Sequence, residues 1–173
     1  MTTDPDIRIA PLTRAHLPSL ATVMTDPEVL RFTRVPDPPP VDFLETWFAG
    51  YEQGRRDGTR DAFAIVDGGE AFLGTAVAPA IDRGTSTVEL GYMIMPAARG
   101  RGVATGALEL LTEWAFDSLD AQRIELFISI ENDASKRVAE HNGYRYEGTL
   151  RSLYFKQELR ADTEIWSKLP NDP

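Results

Sequence analysis

The sequence predicts an α/β domain: a mixed, largely antiparallel sheet with helices packed against it. Three observations predict this class. In the middle of the chain AFAIVD, AFLGTAVAPAI and TVELGYMIM are apolar runs of strand length, joined by GGE and RGTS. Those turns are too short for a crossover, so the three strands meander antiparallel. On both sides of the meander apolar residues recur at helical spacing, and RIELFISI follows as a near-continuous apolar run, the pattern of a strand deep inside a sheet.

Taken in order, IRIAPL alternates and opens the fold as a strand. Thr13 offers an N-cap, and Leu17, Leu20, Val23 and Met24 mark a helix that runs to Thr25. Asp26-Pro27 repeats the cap-then-proline signal for a short second helix, DPEVLRF. TRVPDPPP is a proline-rich loop. From Val41, the residues Phe43, Leu44, Trp47, Phe48 and Tyr51 mark one face of a third helix, which GRRDG ends. After the meander, Val103, Ala107, Leu110, Leu111 and Trp114 mark a core-facing helix. NDASKRVAEHNG is a short helix capped by Asn132 or Asp133 and stopped by Asn142-Gly143. YRYEGTLRSLYF and TEIWSKL are closing strands joined by a turn around Lys156 to Asp162. No repeat or linker interrupts the pattern, so residues 1–173 are expected to form one domain.

Composition narrows the function. With 173 residues the chain can bury a proper core without metals or cross-links, and without cysteine it has no disulfides, zinc–thiolate sites or thiol nucleophiles. His16 and His141 lie far apart and make a poor metal site; no metal is expected. MTTDPDIRIA lacks the basic-then-apolar pattern of a secretory signal, and no run approaches a membrane span, so a cytoplasmic location is expected. Eighteen basic against 27 acidic residues give a net charge of −9. That balance argues against a nucleic-acid binder, which needs a basic surface. It is compatible with a cationic partner such as an amine, and equally with plain solubility.

One stretch carries chemistry: MIMPAARGRGVATGALELL, Met93 to Leu111. A strand hands over to a helix through two glycines flanked by cations. Helix N-termini present unpaired N–H groups and a positive dipole end, so they receive anions. Gly100 and Gly102 remove side chains that would keep a phosphate from those amides, Arg99 and Arg101 add charge, and Thr105 adds a hydroxyl. The arrangement suits a pyrophosphate; it also suits an ordinary strand–helix turn with exposed arginines. A P-loop lacks its lysine here. The dinucleotide fingerprint would need glycine at Thr105, and the preceding antiparallel meander is foreign to that fold.

Arg99-Gly100-Arg101-Gly102-Val103-Ala104 resembles the [QR]-x-x-G-x-[GA] signature of the GNAT superfamily of acetyl-CoA-dependent N-acetyltransferases. The resemblance extends in order along nearly the whole chain. The opening with its DPEV turn, ELGYMIMP before the loop, Asn132 with the helix and NGY after it, YEGTLR and Asp162 are similar to the RimJ/RimL-like branch. It implies a GNAT-like sheet whose strands splay at a cofactor cleft. Acetyl-CoA is then the acyl donor, its pyrophosphate held by Arg99 through Thr105. The strand before the loop is implied to part from its neighbour at a bulge, with the backbone of Tyr92, Met93 and Ile94 pairing with the pantetheine arm. Asn132 matches a position that contacts the same arm. Related proteins often form dimers, so a homodimer is also implied.

Acetyl transfer needs a neutral amine, a polarised thioester and a proton for the departing thiolate. A carboxylate can accept the amine's proton, and a backbone N–H can stabilise the carbonyl oxygen. Glu89 is the candidate base, with solvation or pairing to a nearby arginine as its other reading. The tyrosine that many superfamily members place seven residues beyond the asparagine is Ala139 here. Ser135 matches a serine assigned as the acid in some of the branch; capping of the helix start is its other reading, and water is an alternative acid. The resemblance sets the third helix and the loop before it beside the acceptor pocket, so Arg31 and Arg34 are candidates to line it. Two functions follow: an N-acetyltransferase acting on a primary amine of a protein N-terminus or small molecule, or a non-catalytic coenzyme A-binding sensor or assembly protein.

Overall fold

A computed structural model describes residues 6–156 and 159–172, the side chains of Tyr154 and Phe155 excepted. Among the described residues seven strands form one sheet: β1 (Ile7–Pro11), β2 (Asp61–Asp67), β3 (Phe72–Asp82), β4 (Thr87–Ile94), β5 (Arg123–Ser129), β6 (Arg145–Lys156) and β7 (Leu159–Lys168). Their spatial order is β1-β2-β3-β4-β5-β7-β6. The β2–β3–β4 meander is antiparallel as expected, and β4 and β5 pair in parallel across the crossover made by α4 (Val103–Leu119).

The helices divide between the two faces. α1 (Leu17–Met24), α2 (Pro27–Phe32) and α3 (Phe43–Asp57) cover one; α4 and α5 (Asp133–His141) cover the other. On β2 the alternation is direct: Ala62, Ala64 and Val66 join Leu20, Val23 and Phe48 of the first layer, whereas Phe63 and Ile65 join Leu108 and Leu111 of the second. AFAIV is therefore apolar throughout because both of its faces are covered. Each fully buried leucine or isoleucine in these layers contributes about 1.5–3 kcal/mol relative to exposure.

The caps expected at the ends of α2, α3 and α5 are present. Asp26 Oδ1 accepts from the backbone N–H of Glu28 and Val29, both at 3.2 Å, and starts α2. Gly58 ends α3 and Gly143 follows α5, both with positive φ.

Several boundaries differ from expectation. The first helix begins as a 3-10 turn at Arg14–His16, where Thr13 N–H donates to His16 Nδ1. α3 begins at Phe43, and Val41 is fully exposed. On α4 the face is rotated by about one residue: Leu108 and Ala115 are buried, while Leu110 and Trp114 are half-buried. β5 is not covered throughout; Leu126 and Ile128 are buried while Glu125, paired with Arg123, and Phe127, which borders a cleft, are half-buried. The turn expected at Lys156–Asp162 is shorter, since Lys156 already pairs with Leu159 across the β6–β7 ladder. Residues 157 and 158 within that turn, and residues 1–5 of the N-terminal segment, lie outside the described residues.

Candidate active site

β4 and β5 run together only through Thr87↔Arg123, Val88↔Ile124 and Glu89↔Glu125. Beyond Glu89, β4 follows β3 while β5 follows β7, with Phe127 opposite Ile165. The bulge implied at this point lies on β3, not between the parting strands. Val77 pairs with Gly91 and Ala80 with Glu89, leaving an extra residue at Ala78-Pro79, where proline has no N–H to give the ladder. A cavity of about 970 Å³ opens in the gap. From Gly91 to Ile94 the backbone pairs with β3 on one side and borders this cavity on the other.

At one end stands the glycine loop. Gly100 and Gly102 have φ of 71° and 79°, a region that side-chain-bearing residues adopt at a cost. A Cβ built on Gly100 meets no protein atom within 4 Å, so backbone conformation requires this glycine and packing does not. Gly102 is the N-cap residue of α4 and no side chain caps the helix. The N–H groups of Val103, Ala104 and Thr105 therefore lack intrahelical acceptors, and these residues border the cavity. Such a set of orphan donors at a positive dipole end fits a pyrophosphate, and the open backbone edge of β4 fits an extended amide-bearing chain.

The two arginines assigned to that cradle differ in placement. Arg99 pairs with Asp26 and with Glu28, the latter at 3.0 Å, and donates to Ile94 O at 3.2 Å. It ties the loop to the start of α2 while forming part of the cavity wall. Arg101 is exposed and does not border the cavity. The side chain of Val103 is buried in the core beneath α4, so only its backbone can serve the cradle. Arg137 and His141 on α5 also border the cavity. Sequence reasoning passed over Arg137; its four-residue spacing from His141 was the available signal.

In the middle of the cleft Tyr92 and Ser135 meet. The side chains of β4 alternate, so Tyr92 joins Val88, Leu90 and Ile94 on the α4–α5 face, whereas Met93 belongs to the α1–α3 core. Tyr92 OH donates to Ser135 Oγ at 3.2 Å. Burial pushes the phenol up to about 12, against the opposing pull of that hydrogen bond, and keeps it protonated. Asn132 Oδ1 accepts from Ser135 N–H at 3.1 Å, so the asparagine is the N-cap of α5 as well as a cleft residue.

At the other end Glu89 projects from the opposite face of β4. Arg34 Nη1 donates to Glu89 Oε1 at 2.8 Å, and the Glu89 side chain is 18% exposed. Beside them is Tyr51, a buried residue whose hydroxyl pKa is raised by desolvation, with Arg60, Glu89 and Arg34 contributing to its electrostatic surroundings. Tyr51 stacks at a tilt on Trp47, ring centroids 4.3 Å apart. The loop that carries Arg34 is held from a distance: Lys156 on β6 donates to Leu30 O and, at 2.7 Å, to Val35 O. Arg31 instead pairs with Glu131 at 2.9 Å. Nothing in the local sequence marks Arg60 or Lys156; Lys156 reaches the loop across 126 positions. Among the described residues no group of three His, Asp or Glu side chains converges to hold a metal.

Residues 6–145 match the acetyltransferase (GNAT) domain family. Over 127 residues the chain is 27% identical to the uncharacterised N-acetyltransferase YoaA of Bacillus subtilis, covering 73% of this chain and 70% of that one. It is 26% identical over 83 residues to the ribosomal-protein-serine acetyltransferase of Escherichia coli, 48% of this chain and 46% of that one. In three dimensions it resembles the spermidine N-acetyltransferase of Vibrio cholerae in complex with CoA and spermine. The TM-score is 0.84 at 18% identity, over 96% of this chain and 97% of that one. By its sequence, the chain belongs to the GNAT acetyltransferase domain family.

Proposed function

We propose that acetyl transfer in this protein proceeds by direct attack of a primary amine within a ternary complex, with Glu89 serving the amine and Ser135 the leaving sulfur. Acetyl transfer from acetyl-CoA follows from family membership, and relatives named as N-acetyltransferases favour an enzyme over a sensor. The observation that carries the reading is the gap opened after Glu89. It sets uncapped helix amides, an open strand edge, a serine and a carboxylate around one cavity.

The N–H groups of Val103 to Thr105 hold the pyrophosphate, and the backbone of Tyr92 to Ile94 holds the pantetheine arm like an added strand. When bound, the thioester supplies an activated acetyl group. Glu89 receives the acceptor's ammonium and takes its proton, directly or through water. An N–H of the open β4 edge polarises the carbonyl oxygen. Ser135 Oγ accepts from Tyr92, which leaves its own O–H free to point into the cleft and protonate the departing thiolate, the serine regaining its proton through water from the nitrogen of the tetrahedral intermediate.

The test is thiol release with an amine panel, alongside calorimetric titration with acetyl-CoA. Glu89→Gln is expected to lower kcat by roughly 10²-fold with little change in acetyl-CoA affinity; equal turnover removes Glu89 from the mechanism.

Relatives act on different acceptors. One structural relative acetylates spermidine, and RimL, a second at TM-score 0.85 and 16% identity, is an α-N-acetyltransferase of ribosomal protein L7/L12. Family membership alone does not choose between these two classes of amine. Among the described residues no helix is long and apolar enough to cross a membrane. A cytoplasmic location and no nucleic-acid partner complete the proposal, supported by the net acidity. A homodimer is proposed as well, supported by the exposed Tyr146 and Leu150 on the edge strand β6.

A further inference from the structure

The acceptor end of the cleft is cationic, which is unexpected in a chain of net charge −9 whose acceptor is itself a cation. Two guanidinium groups, Arg34 and Arg60, border this end with the carboxylate of Glu89. Arg34 gives one nitrogen to Glu89 at 2.8 Å, and its side chain remains 51% exposed. Guanidinium has five N–H donors in a fixed fork, so Arg34 keeps donors for a second partner. Arg60 is exposed and has no ion pair among the described residues, although Asp61, its chain neighbour, pairs with Arg55 at 2.6 Å. Its stem is held in place: a Cβ on Gly54 would stand 2.5 Å from Arg60 Cβ, so a glycine at 54 lets the Arg60 backbone lie against α3. The remaining wall is apolar and aromatic, from Phe43, Trp47 and Tyr51.

A polyamine needs carboxylates spaced along its path, and here its second ammonium would meet two guanidinium groups. Planar forked donors match a carboxylate instead. We infer that the acceptor is an amino carboxylate, its amine on Glu89, its carboxylate on Arg60 and the free side of Arg34, and its apolar side chain against Trp47 and Phe43. This rests on the acetyl-transfer reading above. Arg34 touches Glu89 directly, so a carboxylate on its free side would lie close to an amine on Glu89, as the two groups do in a free amino acid. A peptide N-terminus carries an amide in place of that carboxylate.

The test compares free leucine and phenylalanine with their amides and with spermidine, reading thiol release from acetyl-CoA. The free amino acids are expected to exceed their amides at least tenfold in kcat/KM, and both to exceed spermidine. Arg60→Met, which keeps the stem, should collapse the acid-to-amide ratio towards one, and Arg60→Lys should keep part of it; a melting curve confirms that each variant is folded. Equal or better use of the amides or spermidine, a ratio that survives in Arg60→Met, or no release with any of these amines overturns the inference. Acetyl transfer itself is judged separately: release with the amides or spermidine upholds it while removing the carboxylate. Failure of acetyl-CoA to bind in the calorimeter removes both.

Discussion

Tyr92 and Ser135, 43 positions apart in the chain, meet across the cleft with the phenol donating to the serine oxygen at 3.2 Å. This contact makes Ser135 more than a first-turn residue of α5. Its oxygen is occupied as an acceptor, so its own proton must find another partner, and the cleft lies beside it. Tyr92→Phe is expected to lower kcat several-fold, the effect of one lost hydrogen bond of about 1 kcal/mol. Ser135→Ala should lower it further. Burial holds the phenol up at about 12, so it donates throughout neutral and mildly alkaline solution. Tyr92→Phe should therefore lower the plateau of the kcat–pH profile below pH ~11 without moving its limbs; a shifted limb would contradict this arrangement.

Gly102 combines a φ of 79° with a position at the uncapped start of α4. Gly102→Val should cost about 1–2 kcal/mol of stability through backbone strain alone. It should also weaken acetyl-CoA at least tenfold, by setting a branched side chain before the helix amides. Thermal melting and calorimetry separate the two effects. Unchanged affinity in a folded variant would sink the cradle assignment.

Lys156 clamps the segment between Leu30 and Val35 by donating to both carbonyl oxygens, and it is buried. Burial lowers the pKa of its ammonium, with Asp37 opposing the shift. Lys156→Met removes both donors and leaves two carbonyls to find water. The expected result is a raised KM for the acceptor, with acetyl-CoA affinity largely retained, because the freed segment carries Arg34 to Glu89. A change confined to acetyl-CoA binding would refute that role.

Glu147 is held by Arg123 and accepts from Ser167 Oγ at 2.5 Å; these contacts, Arg123 first, lower its pKa from the ordinary 4.5 to about 2. A depressed carboxylate stabilises the fold above its unfolded value and loses that contribution as pH falls through its folded value. Between pH ~4.5 and ~2 the wild type should therefore lose stability more steeply than Glu147→Gln. Parallel acid-melting curves would count against this linkage.

Much of the fold was legible because its signals are local. Asp26 before Pro27, Asn132 before α5, and Gly58 and Gly143 after helices mark ends that backbone hydrogen bonding demands within a few residues. The meander follows from turn length, and the glycine loop from the special φ that helix initiation takes there. Glu89, Tyr92, Asn132 and Ser135 could be singled out by motif order, and the structure sets all four beside one cavity.

The partners of those residues are a tertiary matter. Arg99 reads locally as a phosphate ligand, yet Asp26, 73 positions earlier, claims its guanidinium. Arg34 reaches Glu89 across 55 positions and Lys156 reaches Leu30 across 126. A flexible cationic side chain has no preferred partner along the chain; burial and chain crossing decide which carboxylate or carbonyl it meets. Strand and helix periods therefore specify where the cleft forms, and only the packing of α2, α3 and β6 around it determines which charges face the acceptor.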